Sequence, residues 1–188
     1  MTVLQQMLDA NHRFMKHLPS EYMCPAHRVD KYPKRQIAIV TCMDTRLVDF
    51  LEPALGIGHG EAKMIKTAGN SITGVFSETI RSLLVCIYEL GVKEIFVIGH
   101  EDCGMMHSTS QSLIEKMTSR GISPDAIAMI KDKLEHWTDS FEHPAENVID
   151  AVHQIKANPL IPKDVAVHGL IVHPHSGEAE VLVSGYEA

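Results

Sequence analysis

The sequence predicts an α/β fold: a mainly parallel central sheet of about four to five strands, an antiparallel edge strand, helices on both faces and an N-terminal helical arm. Three observations carry this. Short β-branched apolar runs alternate with longer stretches of helical period, which is the pattern of strands joined by right-handed helical crossovers. The last run, 180–184, follows Val165 to Val172 after a turn from Pro174 to Gly177, so it returns antiparallel. Finally, 188 residues with 45% hydrophobic content suit one domain with a real core.

Each element has its own signal. Leu4, Met7, Leu8, Phe14 and Met15 fit a 3.6 period, and Thr2 with Gln5 resembles a capping box, so 2–16 reads as an amphipathic helix. Residues 17–34 hold three prolines and no period, making 1–34 an arm and connector within a single 1–188 domain. Strand one is 36–41. Arg46 to Leu55 reads as a helix ended by Gly56 and Gly58, and strand two as 62–67. Phe76, Ile80, Leu83, Leu84 and Ile87 line one face of a helix at 75–90, which Gly91 stops. Strand three is 94–99, followed by a helix over 104–119. Ser123-Pro124-Asp125 opens the next helix with a cap, a proline and a first-turn acid. A last helix spans 144–156, before strands 165–172 and 180–184.

Composition narrows the function. The formal charge is −7 and no Lys/Arg cluster stands out, which argues against nucleic acid. No apolar run is long enough for a bilayer, and the N-terminus lacks the pattern of a signal peptide. A cytoplasmic location is therefore expected. Four cysteines make no disulfide framework at this size, and a reducing compartment favours metal binding.

Two strings carry the chemistry. Cys42-Met43-Asp44-Thr45-Arg46 follows strand one, and His100-Glu101-Asp102-Cys103-Gly104 follows strand three. Parallel strands side by side bring both to one carboxyl edge, where open α/β sheets bind ligands. Two thiolates and an imidazole are donors that zinc prefers, and three protein ligands leave one position for water. The plainer reading makes Cys42 a buried small hydrophobe and His100 the cap of a strand. It loses ground because acids accompany both strings. Cys24 and His27 also have ligand spacing but sit in the connector without a partner pair. Cys86 falls on the apolar face of a helix, where free cysteine behaves as core. A phosphatase-like nucleophile at Cys42 would need a longer phosphate-wrapping loop before Arg46.

Cys-x-Asp-x-Arg followed by His-x-x-Cys-Gly resembles the β-class carbonic anhydrases. The likeness includes Thr67-Ala68-Gly69-Asn70 and Val167-His168-Gly169. It implies one zinc per subunit on Cys42, His100 and Cys103, with Asp44 and Arg46 as the catalytic pair. It also implies reversible hydration of carbon dioxide to bicarbonate and a homodimer or larger homo-oligomer, with the N-terminal helix reaching over the partner. In some members the carboxylate matching Asp44 closes on the metal. Gly69, Asn70 and Gly104 are candidates to shape the substrate pocket, and His59 and His107 to carry the proton. Gly58-His59-Gly60-Glu61-Ala62 stands where plant-type members carry a bicarbonate-binding glutamine. Hydrolases of carbon disulfide or carbonyl sulfide share the metal motifs and form the alternative activity. A zinc-stabilised binding protein without turnover is a third reading, disfavoured because a purely structural site does not need the Asp44–Arg46 pair.

Overall fold

Five strands form one sheet in the computed structural model, which describes residues 1–19 and 30–186. They are β1 (Ile37–Cys42), β2 (Ala62–Thr67), β3 (Glu94–His100), β4 (Ala166–Val172) and β5 (Ala179–Val183), in spatial order β2-β1-β3-β4-β5. All pairings are parallel except β4 with β5, which is antiparallel and carries a register shift at Gly169/Leu170. β1 is buried at every position, which is why it reads as a continuous apolar run and not as an alternation. β2 lies at an edge, is less buried, and carries Lys63 and Lys66, residues that blunt an open edge.

Two apolar clusters hold the sheet between layers. On one face, Ile80 and Leu83 of α3 (Glu78–Tyr88) and Val148, Val152 and Ile155 of α7 (Pro144–Ala157) pack on Ala38, Val40, Ile95, Val97 and Val167. On the other, Leu47, Leu51 and Phe141 cover Ile37, Ile39, Ile98 and Val172. Each fully buried Val, Leu or Ile among them contributes roughly 1.5–3 kcal/mol. Close approach of α7 depends on a missing side chain: a Cβ at Gly99 would lie 2.6 Å from Val148 Cγ2.

The remaining helices are α1 (Val3–Lys16), α2 (Leu51–Ala54), α4 (Ser110–Ser119), α5 (Pro124–Ala128) and α6 (Lys131–Thr138). Residues Met1–Lys31 form one compact unit and Tyr32–Ala188 another. Within the first, Thr2 Oγ1 accepts the Gln5 N–H at 3.2 Å as the cap of α1, and Leu4, Met7 and Met15 are exposed. Among the described residues, no helix is long and apolar enough to cross a membrane.

Three helix expectations need correction. Residues 46–55 are not one helix: a 3-10 turn, Thr45–Leu47, precedes the single turn of α2. Asp44 caps that turn by accepting the Arg46 N–H at 2.8 Å, Val48 is extended, and Asp49 takes a left-handed φ of 55°. Residues 104–119 also divide, into a 3-10 turn, Gly104–His107, and α4, because Thr109 Oγ1 accepts the Ser112 N–H at 3.2 Å and starts a new helix. Ser77 likewise starts α3 later than expected, which leaves Phe76 outside the helix and 61% exposed. α6 was not anticipated. Cys24 and His27 lie outside the described residues.

Candidate metal centre

Parallel pairing sets the site. Cys42 and His100 are the last residues of the adjacent strands β1 and β3, so both side chains emerge at the carboxyl edge. Beyond β3 the chain turns sharply at Asp102, whose φ is 51°, and this returns Cys103 toward Cys42. Asp tolerates a left-handed backbone better than most residues. The two sulfurs are 3.9 Å apart, and the ligand atoms of Cys42, His100 and Cys103 all lie within 4.8 Å of one another. All three residues are at most 5% exposed.

The imidazole is oriented by one backbone carbonyl. His100 Nδ1 is 2.9 Å from the Glu101 carbonyl, which can only accept, so Nδ1 carries the proton. Nε2 is then a bare lone pair, buried and without a hydrogen bond. Leaving a buried polar atom unpaired costs about 1–3 kcal/mol. A lone pair facing two buried sulfurs is what a metal ion would satisfy, and a ligating histidine ordinarily gives its other N–H to a carbonyl. Two cysteines and a histidine suit zinc. The sulfurs also divide their charge. Hydrogen bonding from Cys103, with lesser help from the backbone N–H groups of Gly69 and Asp44, holds the Cys42 thiol well below its usual range against the effect of burial. The same contact and burial push Cys103 up. Burial opposes charge on His100, but contact with Cys42 and the charges of Cys42 and Asp44 outweigh it and raise its pKa.

Beside the trio stands a fixed carboxylate. Arg46 Nε donates to Asp44 Oδ1 at 3.0 Å and Arg46 Nη2 to Asp44 Oδ2 at 2.9 Å, a two-point clamp. These bonds hold Asp44 at about 2, so it is ionised throughout the neutral range. Its Oδ2 lies 3.8 Å from His100 Nε2. Asp44 is thus within reach of the site while bound to Arg46.

The other sequence candidates fall unequally. Gly69 is buried at a φ of 67°, and a Cβ there would meet Phe141 Cε2 at 2.8 Å and Met105 Cγ at 2.9 Å. Its carbonyl accepts from Asn147 Nδ2 at 2.7 Å. Asn70 is 2% exposed with Nδ2 unpartnered, and Gly104 opens the turn after Cys103. His107 is exposed on that turn, within electrostatic reach of Asp102. His59 must be withdrawn from the site of its own subunit. It precedes Ala62, which pairs with Ile37 at the start of β1, so it lies at the opposite edge of the sheet. Sequence reasoning passed over Asp102, whose Oδ2 accepts from Arg46 Nη1 at 2.8 Å. Nothing in the string separates it from Glu101 except aspartate's tolerance of a left-handed turn.

The architecture is therefore an α/β protein with three donors that could hold a metal ion at the carboxyl edge and an arginine-held carboxylate beside them. Comparison with known proteins narrows this. The sequence profile of the carbonic anhydrase family matches residues 37–179. The crystal structure of a beta-carbonic anhydrase from Trichomonas vaginalis superposes with a TM-score of 0.93 at 45% identity, covering 99% of this chain and 100% of that one. YvdA of Bacillus subtilis is 38% identical over 190 residues, 100% of this chain and 94% of its own. A carbon disulfide hydrolase from Acidianus is 30% identical over 152 residues, 73% of this chain and 72% of its own. The chain belongs to the β-class carbonic anhydrase family.

Proposed function

We propose that this protein is a zinc lyase that interconverts carbon dioxide and bicarbonate, with zinc held by Cys42, His100 and Cys103. The observation that carries the reading is the bare, buried Nε2 of His100 facing two buried sulfurs, with the Asp44–Arg46 clamp alongside. When bound, the metal supplies an acidified water as nucleophile, an effect for which carbonic anhydrase is itself the reference case. Asp44, ionised and acceptor-only, would accept a hydrogen bond from a water held beside it and so orient that water toward the carbon. Arg46 fixes the plane of the carboxylate and keeps it from turning onto the metal. The apolar cluster behind the sulfurs, which includes Phe141 and Met105, suits an uncharged linear substrate. Gly69, Asn70 and Gly104 shape its approach. One proton leaves for each carbon dioxide hydrated, and His107 is the exposed group placed to carry it.

A homodimer or larger homo-oligomer fits the exposed apolar residues of α1. A reducing cytoplasm fits two thiols 3.9 Å apart that must stay unoxidised to bind metal. Light scattering on the full chain should give at least twice the 20.9 kDa mass, and a monomer at high concentration would refute the oligomer. Stopped-flow hydration of carbon dioxide by the zinc-loaded protein tests the activity. The Acidianus relative warrants running carbon disulfide and carbonyl sulfide in parallel. Turnover of those substrates alone would move the assignment to the hydrolases, and no turnover of any would leave a binding protein.

A further inference from the structure

We propose that Asp102 is a positioning residue that completes the catalytic pair by locking the second edge of the Arg46 guanidinium. The inference rests on the hydration reading above. It assigns to the site a carboxylate that is not a candidate ligand.

Arg46 is held on two edges. Its Nε/Nη2 edge grips Asp44. Its other edge turns to the β3 side, where Nη1 donates to Asp102 Oδ2 at 2.8 Å and Nη2 to the Asp102 carbonyl at 2.7 Å. A guanidinium is planar with five N–H donors in a fixed fork. Four separate donor contacts to Asp44 and Asp102 leave its plane no rotation. Asp44 follows β1 and Asp102 follows β3, so Arg46 straps together the two strand ends that supply the metal donors. The strap is mounted at both ends. Asp44 Oδ1 also accepts the Arg46 backbone N–H, and Asp102 sits at a left-handed φ of 51° that directs its carbonyl and carboxylate to one guanidinium.

An arginine gripped on one edge can swing about that edge and carry Asp44 with it. Gripped on two, it fixes the direction of the Asp44 lone pairs. A displacement of about 1 Å in a catalytic group can cost as much as 100-fold in rate. The Asp102 side chain is 73% exposed, so a free surface aspartate would contribute almost nothing. Its effect must travel through Arg46.

A double-mutant cycle isolates that path. Asp102→Gly suits the backbone φ and removes the carboxylate, and Asp102→Asn retains an oxygen acceptor and tolerates the same φ. On zinc-loaded protein we expect Asp102→Gly to lower kcat about tenfold, with KM and zinc content unchanged. Asp102→Asn should recover kcat to within about threefold of the parent, because the Nη1 contact survives. Placed in an Arg46→Ala background, Asp102→Gly should cost nothing further in kcat. Thermal unfolding read on the same four proteins should show the same non-additivity. Equal loss from Asp102→Gly in both backgrounds would mean a structural role for the turn and would overturn the proposal. So would a kcat within twofold of the parent. If the parent hydrates no carbon dioxide the functional reading fails, but the unfolding cycle still decides whether the strap exists.

Discussion

Two buried histidines stand at opposite edges of the sheet and are treated in opposite ways. His100 ends β3 at the carboxyl edge. His168 lies in β4 beside Phe96, toward the amino edge. Both residues are at most 5% exposed. The Nε2 of His168, like that of His100, is buried without a hydrogen bond, but the two atoms face different groups. Its Nδ1 accepts the Gly185 N–H at 3.0 Å, which places the proton on Nε2, and Nε2 faces Glu94 Oε2 at 3.5 Å. Tyr186 donates to that same oxygen at 2.6 Å, and the ring stacks on Phe96 with centroids 4.6 Å apart. Burial lowers the His168 pKa, partly offset by Glu94. His100 has the reverse arrangement, with its proton on Nδ1 and a bare Nε2. The tautomer, set by one backbone partner in each case, separates a histidine whose Nε2 faces a carboxylate from one whose Nε2 shares its surroundings with two thiols.

The largest effect should come from breaking the open side of this comparison. Cys42→Ser or His100→Ala should remove most zinc, measured by elemental analysis, and lower hydration more than about 100-fold, since even outer partners of a metal ligand cost about 10–100-fold. His168→Phe should keep its zinc. Full zinc retention by Cys42→Ser would sink the ligand assignment. Arg46→Ala comes next. With Asp44 unclamped, kcat should fall about 10–100-fold while zinc stays bound, and stopped-flow kinetics with metal analysis separates the two.

Gly69→Ala tests the packing beneath the site. A Cβ 2.8 Å from Phe141, at a φ of 67°, combines overpacking with backbone strain. The cost should be about 2–3 kcal/mol, lowering Tm by roughly 5–10 °C in calorimetry. An unchanged Tm would show that Phe141 and Met105 yield freely.

The smallest effect concerns pH and the closed side of the comparison. His168 has a folded pKa below its unfolded value of about 6.5. Below that pH the unfolded chain takes up a proton that the folded chain refuses. The contribution of His168 is therefore present above about pH 6.5 and is lost as pH falls. Tm should decline between pH 7 and 5, and His168→Phe should flatten the decline. An identical slope in the variant would remove His168 from the account.

The sheet and the convergence of Cys42, His100 and Cys103 were legible in the sequence because their signals are local. Parallel strands buried on both faces leave nearly unbroken apolar runs, fully buried in β1 and mostly so in β3, and a motif that closes such a run lies at the carboxyl edge. The same rule, applied to His59, places it before β2 and hence at the far edge. Spacing alone did not reveal that. The helix expected over 46–55 failed because Asp44, Val48 and Asp49 each take a non-helical conformation, with Asp44 bonded to the backbone of Arg46. Apolar periodicity has no register of such side-chain competition. Asp102 was illegible for another reason. Its partner is 56 residues away, and only the folded guanidinium joins them.

Cys42 and His100 close β1 and β3, and each of those strands is paired on both sides. Amides of interior strands open to solvent only when the sheet itself comes apart. Hydrogen exchange should therefore be slowest at Val40 and Ile98, and slower there than along the edge strands β2 and β5. The donors are anchored to the part of the fold that yields last. On warming, metal should stay with the protein until the cooperative transition, and its release should coincide with loss of the sheet.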